Sequence, residues 1–270
     1  MLGANRYGKS QVRVVKVART PGRHTLRDLT VDVMLEGDFA AAHTRGDNRG
    51  LPATDTMRNT IYVLANRHPI DTLESFGRAL VEHFMDRPAV VAATVRIREH
   101  PWERLGDHEH AFQRGYGGTR VATVSVGGVS AGVEDLLVLR TTGSGFEGFE
   151  RDRYTTLPET DDRILATVVT ATWEYGGAPA DWHAVRDRLL EAFADHYSPS
   201  VQFTLHRMGE AVLDAHPEIE RIHLSLPNRH HLLVDLTRFG ESNDNAVFEA
   251  TSEPFGLIEG TVERAPAAGT

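Results

Sequence analysis

Leu29-Thr30-Val31-Asp32-Val33-Met34-Leu35 places an apolar side chain at every second position, the period of a strand that buries one face. Upstream, Val12, Val14 and Val17 form another strand-like run, and Pro21-Gly22 between the two runs predicts a hairpin turn. Beyond a loop rich in Gly and Asp, residues 71–87 carry Leu73, Phe76, Leu80, Val81 and Phe84 at helical spacing, with Asp71 as the candidate N-cap. Strand-like runs at 90–98 and 120–126 follow, bounded by Gly117-Gly118 and Gly127-Gly128. The second half repeats this order. Strands are expected at 133–141 and 162–175, and Trp182, Val185, Leu189, Leu190 and Phe193 mark a helix after Pro179. A further helix is expected over 201–215, and two closing strands on Ile222, Leu224, Leu226 and on Leu232, Val234, Leu236. No literal repeat is present, so the duplication rests on element order: an α+β chain of two units, 1–129 and 130–270.

With 270 residues and 40% hydrophobic content the chain can bury a substantial core. A net charge of -9 and a pI near 5.9 argue against a general binder of nucleic acid or anionic membrane, which needs a concentrated basic field. A small or neutral ligand fits better. Cysteine is absent, which removes disulfides, thiolate metal sites and a cysteine nucleophile. There is no apolar N-terminal leader, no membrane-length apolar run, and the end Ala267-Ala268-Gly269-Thr270 is not a peroxisomal signal. The expected location is the cytoplasm.

Fourteen histidines raise the question of a metal. On a strand His108 and His110 would face the same way, as metal ligands need, whereas adjacent His230 and His231 would point to opposite faces. No HExxH and no carboxylate set at defined spacing accompanies them, so no metal is expected. Gly143-Ser144-Gly145 and Gly115-Tyr116-Gly117-Gly118 lack the lysine and spacing of nucleotide loops, and no serine sits in a Gly-x-Ser-x-Gly elbow.

The basic residues are lopsided: Lys9 and Lys16 are the two lysines among 29, and the rest are arginine. Arginine cannot give up its proton in a protein, whereas lysine can, so a lysine in such a chain is a candidate for a position where a proton has to move, with chance survival in an arginine-rich composition as the other reading. Lys9 stands in Arg6-Tyr7-Gly8-Lys9. Lys16 falls in the first strand with no assigned role.

Four segments together resemble the urate oxidase (uricase) family. They are Tyr7-Gly8-Lys9; Ala53-Thr54-Asp55-Thr56 with Arg58-Asn59-Thr60; Gly148-Phe149-Glu150-Arg151-Asp152-Arg153-Tyr154-Thr155-Thr156-Leu157 with Asp162-Arg163-Ile164-Leu165; and Ser225-Leu226-Pro227-Asn228-Arg229-His230. Ser200-Val201-Gln202 and Gly256-Leu257-Ile258 fall in the expected intervals. The resemblance implies two tandem T-fold (tunnelling-fold) units, antiparallel sheets backed by helices, with four chains assembling into a barrel around a tunnel and sites between subunits. It implies oxidation of urate by dioxygen and water to 5-hydroxyisourate and hydrogen peroxide, with neither metal nor organic cofactor.

Residue by residue, the resemblance makes Phe146 the stacking ring for the purine, Arg163 the planar donor fork on one edge, and Gln202 the amide on the opposite edge. Val201 corresponds to a backbone contact, and Thr54 and Asp55 to contacts from the neighbouring subunit. Lys9, Thr54 and His230 correspond to a proton relay, with lysine as base, and Asn228 to the residue that holds dioxygen and then water. His231, turned away from His230 by strand alternation, is expected to pack or to face the tunnel. Two other functions stay open on residues alone: a T-fold purine or pterin hydrolase using a histidine-bound metal, and a non-catalytic T-fold binding module.

Overall fold

The computed structural model describes residues 2–265; the tail Ala267-Ala268-Gly269-Thr270 lies outside them. The chain divides into two compact units, one ending at Gly132 and the other beginning at Val133.

The first unit opens with β1 (Tyr7–Thr20) and β2 (Arg23–Gly37), a hairpin closed at Pro21-Gly22 with Thr20 opposite Arg23. Helices α1 (Ala40–Arg45), α2 (Thr54–Arg67) and α3 (Leu73–Met85) follow. Then come β3 (Val90–Glu99), the short pair β4 (Trp102–Arg104) and β5 (Phe112–Arg114), and β6 (Thr119–Ser125). Strands β1-β2-β3-β6 lie in that order and pair antiparallel. The alternation quoted above does its expected work: Leu29, Val31, Val33 and Leu35 are fully buried, in one cluster with Val95 and Ile97 of β3, Phe76, Leu80 and Phe84 of α3, and Met57 and Ile61 of α2.

Three local differences from expectation have clear causes. Helix α3 is capped by Thr72 rather than Asp71, the Thr72 hydroxyl accepting from the Ser75 amide at 3.1 Å. Helix α2 stands where the sequence suggests only loop, because its buried stripe is just Met57, Ile61 and Ala65, too narrow to register as amphipathic without the sheet beneath it. His108 and His110 lie in the turn between β4 and β5, not on a strand, with rings 4.9 Å apart.

Strand β7 (Gly128–Arg140) leads into the second unit, which holds β8 (Leu165–Tyr175), α4 (Trp182–Ala194), α5 (Val201–Ala215), β9 (Ile219–Arg229), β10 (His231–Leu233), β11 (Phe248–Ala250) and β12 (Gly256–Glu263). Strands β8-β9-β12 are antiparallel neighbours. Val169 and Trp173 of β8 and Ile222, Leu224 and Leu226 of β9 are fully buried, as are Val185 and Leu189 of α4 and Val212 of α5. The strand expected on Leu232, Val234 and Leu236 is cut short. β10 stops at Leu233 and pairs with β11, and the partner of β9 is β12. The alternation misleads there because Leu232 and Leu233 are both exposed. Each unit is an antiparallel sheet backed by helices, the α+β T-fold architecture.

Both units bring a helix against the sheet through a glycine. A Cβ on Gly77 of α3 would meet Val124 Cγ2 at 2.6 Å, and one on Gly209 of α5 would meet Val262 Cγ2 at 2.4 Å. Valine is stiff at χ1 and both are buried, so neither can swing aside. Alanine would gain about 1 kcal/mol of helix propensity, but overpacking costs roughly 1–3 kcal/mol. Gly77→Ala and Gly209→Ala are therefore expected to lower the thermal midpoint, measured by calorimetry, and an unchanged or higher midpoint would contradict the close contact.

A polar cluster sits at the edge of the first unit. Arg13 donates to Thr30 Oγ1 at 2.9 Å and pairs with Asp28, whose other oxygen accepts from Trp102 Nε1 at 2.9 Å. The Thr30 hydroxyl lies 2.8 Å from His100 Nε2. Burial first, then Arg13, push the His100 pKa down, with Arg114 and Arg98 adding and Asp28 opposing. A histidine depressed in the folded state contributes stability above its unfolded pKa, about 6.5, and loses it as pH falls toward the folded value. His100→Gln is expected to flatten the fall of the thermal midpoint on that acid side; the same slope as the parent would refute this.

Candidate active site

The nine residues singled out in the sequence divide between the units: Lys9, Thr54 and Asp55 in the first; Phe146, Arg163, Val201, Gln202, Asn228 and His230 in the second.

In the first unit a bulge decides where Lys9 points. Lys9 is opposite Val33 and Val12 opposite Val31, so Ser10 and Gln11 together face Asp32 alone. Gln11 takes a positive φ of 60, and its amide donates to Asp32 Oδ1 at 2.7 Å. In a regular strand without the bulge, Lys9 and Val12, three positions apart, would fall on opposite faces. With it, Lys9 shares the helix-covered face with Val12, Val14 and their buried partners. Tyr7, on the same face, packs edge-on against Phe39 with centroids 4.8 Å apart and donates its hydroxyl to Pro52 O at 2.9 Å. Burial, opposed by Arg87, pushes the Tyr7 pKa up to about 12, so it stays a donor.

This bond ties the start of β1 to the segment that leads into α2, of which Thr54 is the first residue. Asp55 follows in the first turn, where a carboxylate suits the helix dipole. It is held by Arg58 at 2.5 Å and by Asn59 Nδ2 at 2.9 Å, which accounts for the Arg58-Asn59 part of the motif. Among the described residues the Lys9 ammonium has no hydrogen-bond or ion-pair partner.

In the second unit three irregular segments are laced together. Gly145 N donates to Ser198 O at 2.8 Å and Ser198 N to Gly143 O at 2.9 Å. Phe146 N donates to Thr160 O at 2.7 Å, Thr160 N returns to Phe146 O at 3.2 Å, and Arg163 N donates to Ser144 O at 2.8 Å. Arg163 thus sits ahead of β8, not on the strand surface where the sequence suggests it. Its guanidinium carbon lies 5.5 Å from the centroid of the Phe146 ring, on which Phe149 stacks at 4.9 Å with an interplanar angle of 8°. Burial, opposed by Tyr197, lowers the Arg163 pKa from its usual value, and its Nε has no partner among the described residues. Arginine remains charged regardless.

The third laced segment ends at Ser200, whose hydroxyl caps α5 by accepting from Phe203 N at 3.1 Å. Val201 and Gln202 are the first two helical residues, so their amides belong to the set with no intrahelical partner. A helix start of this kind is ready to receive an acceptor. Val201 is buried and the Gln202 side chain is exposed.

Asn228 shares the parity of Ile222, Leu224 and Leu226 and so belongs to the helix-covered face, near the end of β9, in register with Thr167 of β8 and Gly256 of β12. His230 follows the strand, its carbonyl accepting from Thr251 N at 2.9 Å. The ring of His231 is bonded locally, to Arg229 O at 3.2 Å. Thr167 is a residue the sequence reasoning passed over. It is 1% exposed and its hydroxyl has no hydrogen-bond partner among the described residues. Its signal was a hydroxyl among the core-facing positions Leu165, Val169, Ala171 and Trp173.

Among the described residues no three His, Cys, Asp or Glu side chains come close enough to hold a metal ion, and no helix is long and apolar enough to cross a membrane. What is assembled in the second unit is a ring, a planar cation and a helix start: the parts of a site for a flat, polar-edged ligand.

The fold defines a tandem T-fold protein, an antiparallel sheet backed by helices in each unit. The uricase family model matches residues 5–125 and again 129–259, and the chain belongs to the uricase family. It is 48% identical to the uricase of Arthrobacter globiformis over 98% of this chain and 90% of that one. It is 40% identical to the uricase of Dictyostelium discoideum, over 96% of each. The crystal structure of the Arthrobacter globiformis uricase matches with a TM-score of 0.94 at 46% identity, covering 100% of this chain and 97% of that chain.

A Cβ on Gly145 would lie 2.3 Å from the Tyr197 hydroxyl and 2.9 Å from Thr160 O, the acceptor of the Phe146 amide. Gly145→Ala must therefore open the Phe146–Thr160 bridge. It is expected to weaken binding of a planar purine such as xanthine by about ten-fold, as misplaced contact groups do, with circular dichroism unchanged. Calorimetric titration measures it, and parent-like affinity would show that the lacing does not place Phe146.

Proposed function

We propose that this chain oxidises urate with dioxygen and water to 5-hydroxyisourate and hydrogen peroxide, without metal or organic cofactor, in the cytoplasm. The observation that carries the proposal is the lacing of residues 143–146, 160–163 and 198–200, which puts the Phe146 ring, the Arg163 fork and the α5 start with Gln202 into one piece. Urate is flat and presents carbonyls and ring nitrogens along its edge. Phe146 stacks on its face, Arg163 donates in plane, and the Gln202 amide pairs with the opposite edge beside the Val201 amide.

Dioxygen is a triplet and reacts slowly with closed-shell molecules, so an oxidase without a cofactor must make its substrate electron-rich. Removing a proton does this. Lys9 takes the proton as base, Thr54 passes it through its hydroxyl, and His230 orients and shares it. Asn228 holds dioxygen above the ring and then the water that adds to the oxidised purine. The balance closes: urate, dioxygen and water become hydroxyisourate and peroxide. Four copies form the working protein, with barrels around a tunnel and with Lys9, Thr54 and Asp55 of one protomer facing the Phe146 pocket of its partner.

Chelator-treated protein mixed with urate should consume it without added metal and release equimolar peroxide. Persistent urate under these conditions would overturn the proposal. Lys9→Arg, although it conserves charge, is expected to cut turnover at least as far as Lys9→Met, by about 10²–10⁴-fold, the usual worth of a general base. Near-normal turnover in the arginine variant, with assembly intact, would remove Lys9 from the relay.

A further inference from the structure

Lys16, the chain's other lysine, has no part in the relay, and the structure gives it a contact of its own. Counting from the bulge, Val12, Val14 and Lys16 share one face of β1, the face that Lys9 also joins. The two lysines are therefore in phase on one strand although they are seven positions apart. Lys16 Nζ donates to Ala65 O at 2.8 Å and also to His68 O. Both carbonyls belong to the last turn and C-cap of α2.

The sequence explains why the first carbonyl needs an outside donor. In a continuing helix Ala65 O would accept from the amide of residue 69, which is Pro69 and has no N–H. A cation there satisfies the orphan acceptor and the negative end of the helix dipole together. Arg27, the cross-strand neighbour of Lys16, adds a bond from Nη2 to Asp71 O at 2.9 Å, so the β1–β2 hairpin grips both sides of the 65–71 turn.

Helix α2 needs such a grip. Its buried stripe, Met57, Ile61 and Ala65, is one residue wide and repeats every four, so packing alone resists sliding and rolling weakly. The helix is about 20 Å long, close to the span of the strand between its two lysines. At the far end, Thr54 and Asp55 are presented beside the Tyr7–Pro52 bond.

We infer that Lys16 is a positioning residue, which fixes the axial placement and roll of α2 and through it the position of Thr54 relative to Lys9. The inference rests on the proposed relay for its link to activity. A compact ammonium with three tetrahedral donors suits two carbonyls at a helix end, whereas a planar guanidinium fork matches a carboxylate. This accounts for a lysine persisting here in a chain that otherwise uses arginine.

The test is Lys16→Met, with Gly77→Ala as a control that strains the first unit at α3 and leaves α2 tied. Two readouts are taken well below the unfolding midpoint. Hydrogen exchange followed by mass spectrometry should show faster exchange in peptides across residues 54–67 of Lys16→Met, including the Thr54 end, and not in the control. Urate kinetics should show kcat/KM lowered by about ten-fold or more, as expected for a misplaced catalytic group, with assembly retained and a smaller loss in the control. Unchanged exchange at the Thr54 end would overturn the inference, and so would a loss of kcat/KM no larger than in the control. Where Lys16→Met does not fold, Lys16→Arg, which keeps a cation at the helix end, undergoes the same comparison with a smaller expected loss. Inactive parent protein would defeat the proposed function alone, since the exchange result is read without substrate.

Discussion

Each sheet is apolar on one face, and that face has to be covered. Valine and leucine at alternate positions of β2, and their counterparts on β9, leave water only when helices lie across them. The cover has to be close, which is why α3 and α5 each offer a glycine to a buried valine. It also has ends. Where the helices begin, the covered face stops being filled by carbon, and the same strand face that carries Val12 or Leu226 carries Lys9 or Asn228 instead. The candidate site residues in each unit lie where the core runs out, next to the N-terminus of a helix.

Two departures from regular structure make those positions usable. One extra residue against Asp32 rephases β1, so that a lysine which would have pointed away joins the helix-covered face. In the second unit, residues 143–146 belong to no strand, yet the carbonyls of Gly143 and Ser144, the amide of Gly145 and both groups of Phe146 hold neighbouring segments. Loops held by backbone bonds of this kind keep the precision of a sheet while letting Phe146 and Arg163 leave the sheet's plane.

Arginine dominates the basic residues, and the two lysines lie on one face of β1, where Lys16 meets the end of α2. Lys9 has no partner among the described residues, while Lys16 is occupied by two carbonyls. The contrast is one of surroundings: the Lys16 donors are taken up by carbonyls at a helix C-terminus, which suits a cation there.

Hairpin, α3, α4, α5 and the central strands were legible because their apolar periods of 2 and 3.6 are local properties of the chain. The family resemblance was legible too, through motifs that survive as short runs. Helix α2 was not legible, since three small-to-medium side chains at spacing four bury only against a sheet that is already there. The pairing of β12 with β9 was hidden as well: its partner lies in a distant segment, and only Val262 of that strand is buried. The bulge at Gln11 and the bond from Lys16 to the end of α2 depend on atoms far apart in sequence. By itself, then, the sequence determined which residues could do chemistry and which faces must be buried, because composition and period are written residue by residue. Which way Lys9 points, what holds α2, and how Phe146 meets Arg163 were decided only by tertiary structure, because each depends on hydrogen bonds between segments that no local pattern brings together.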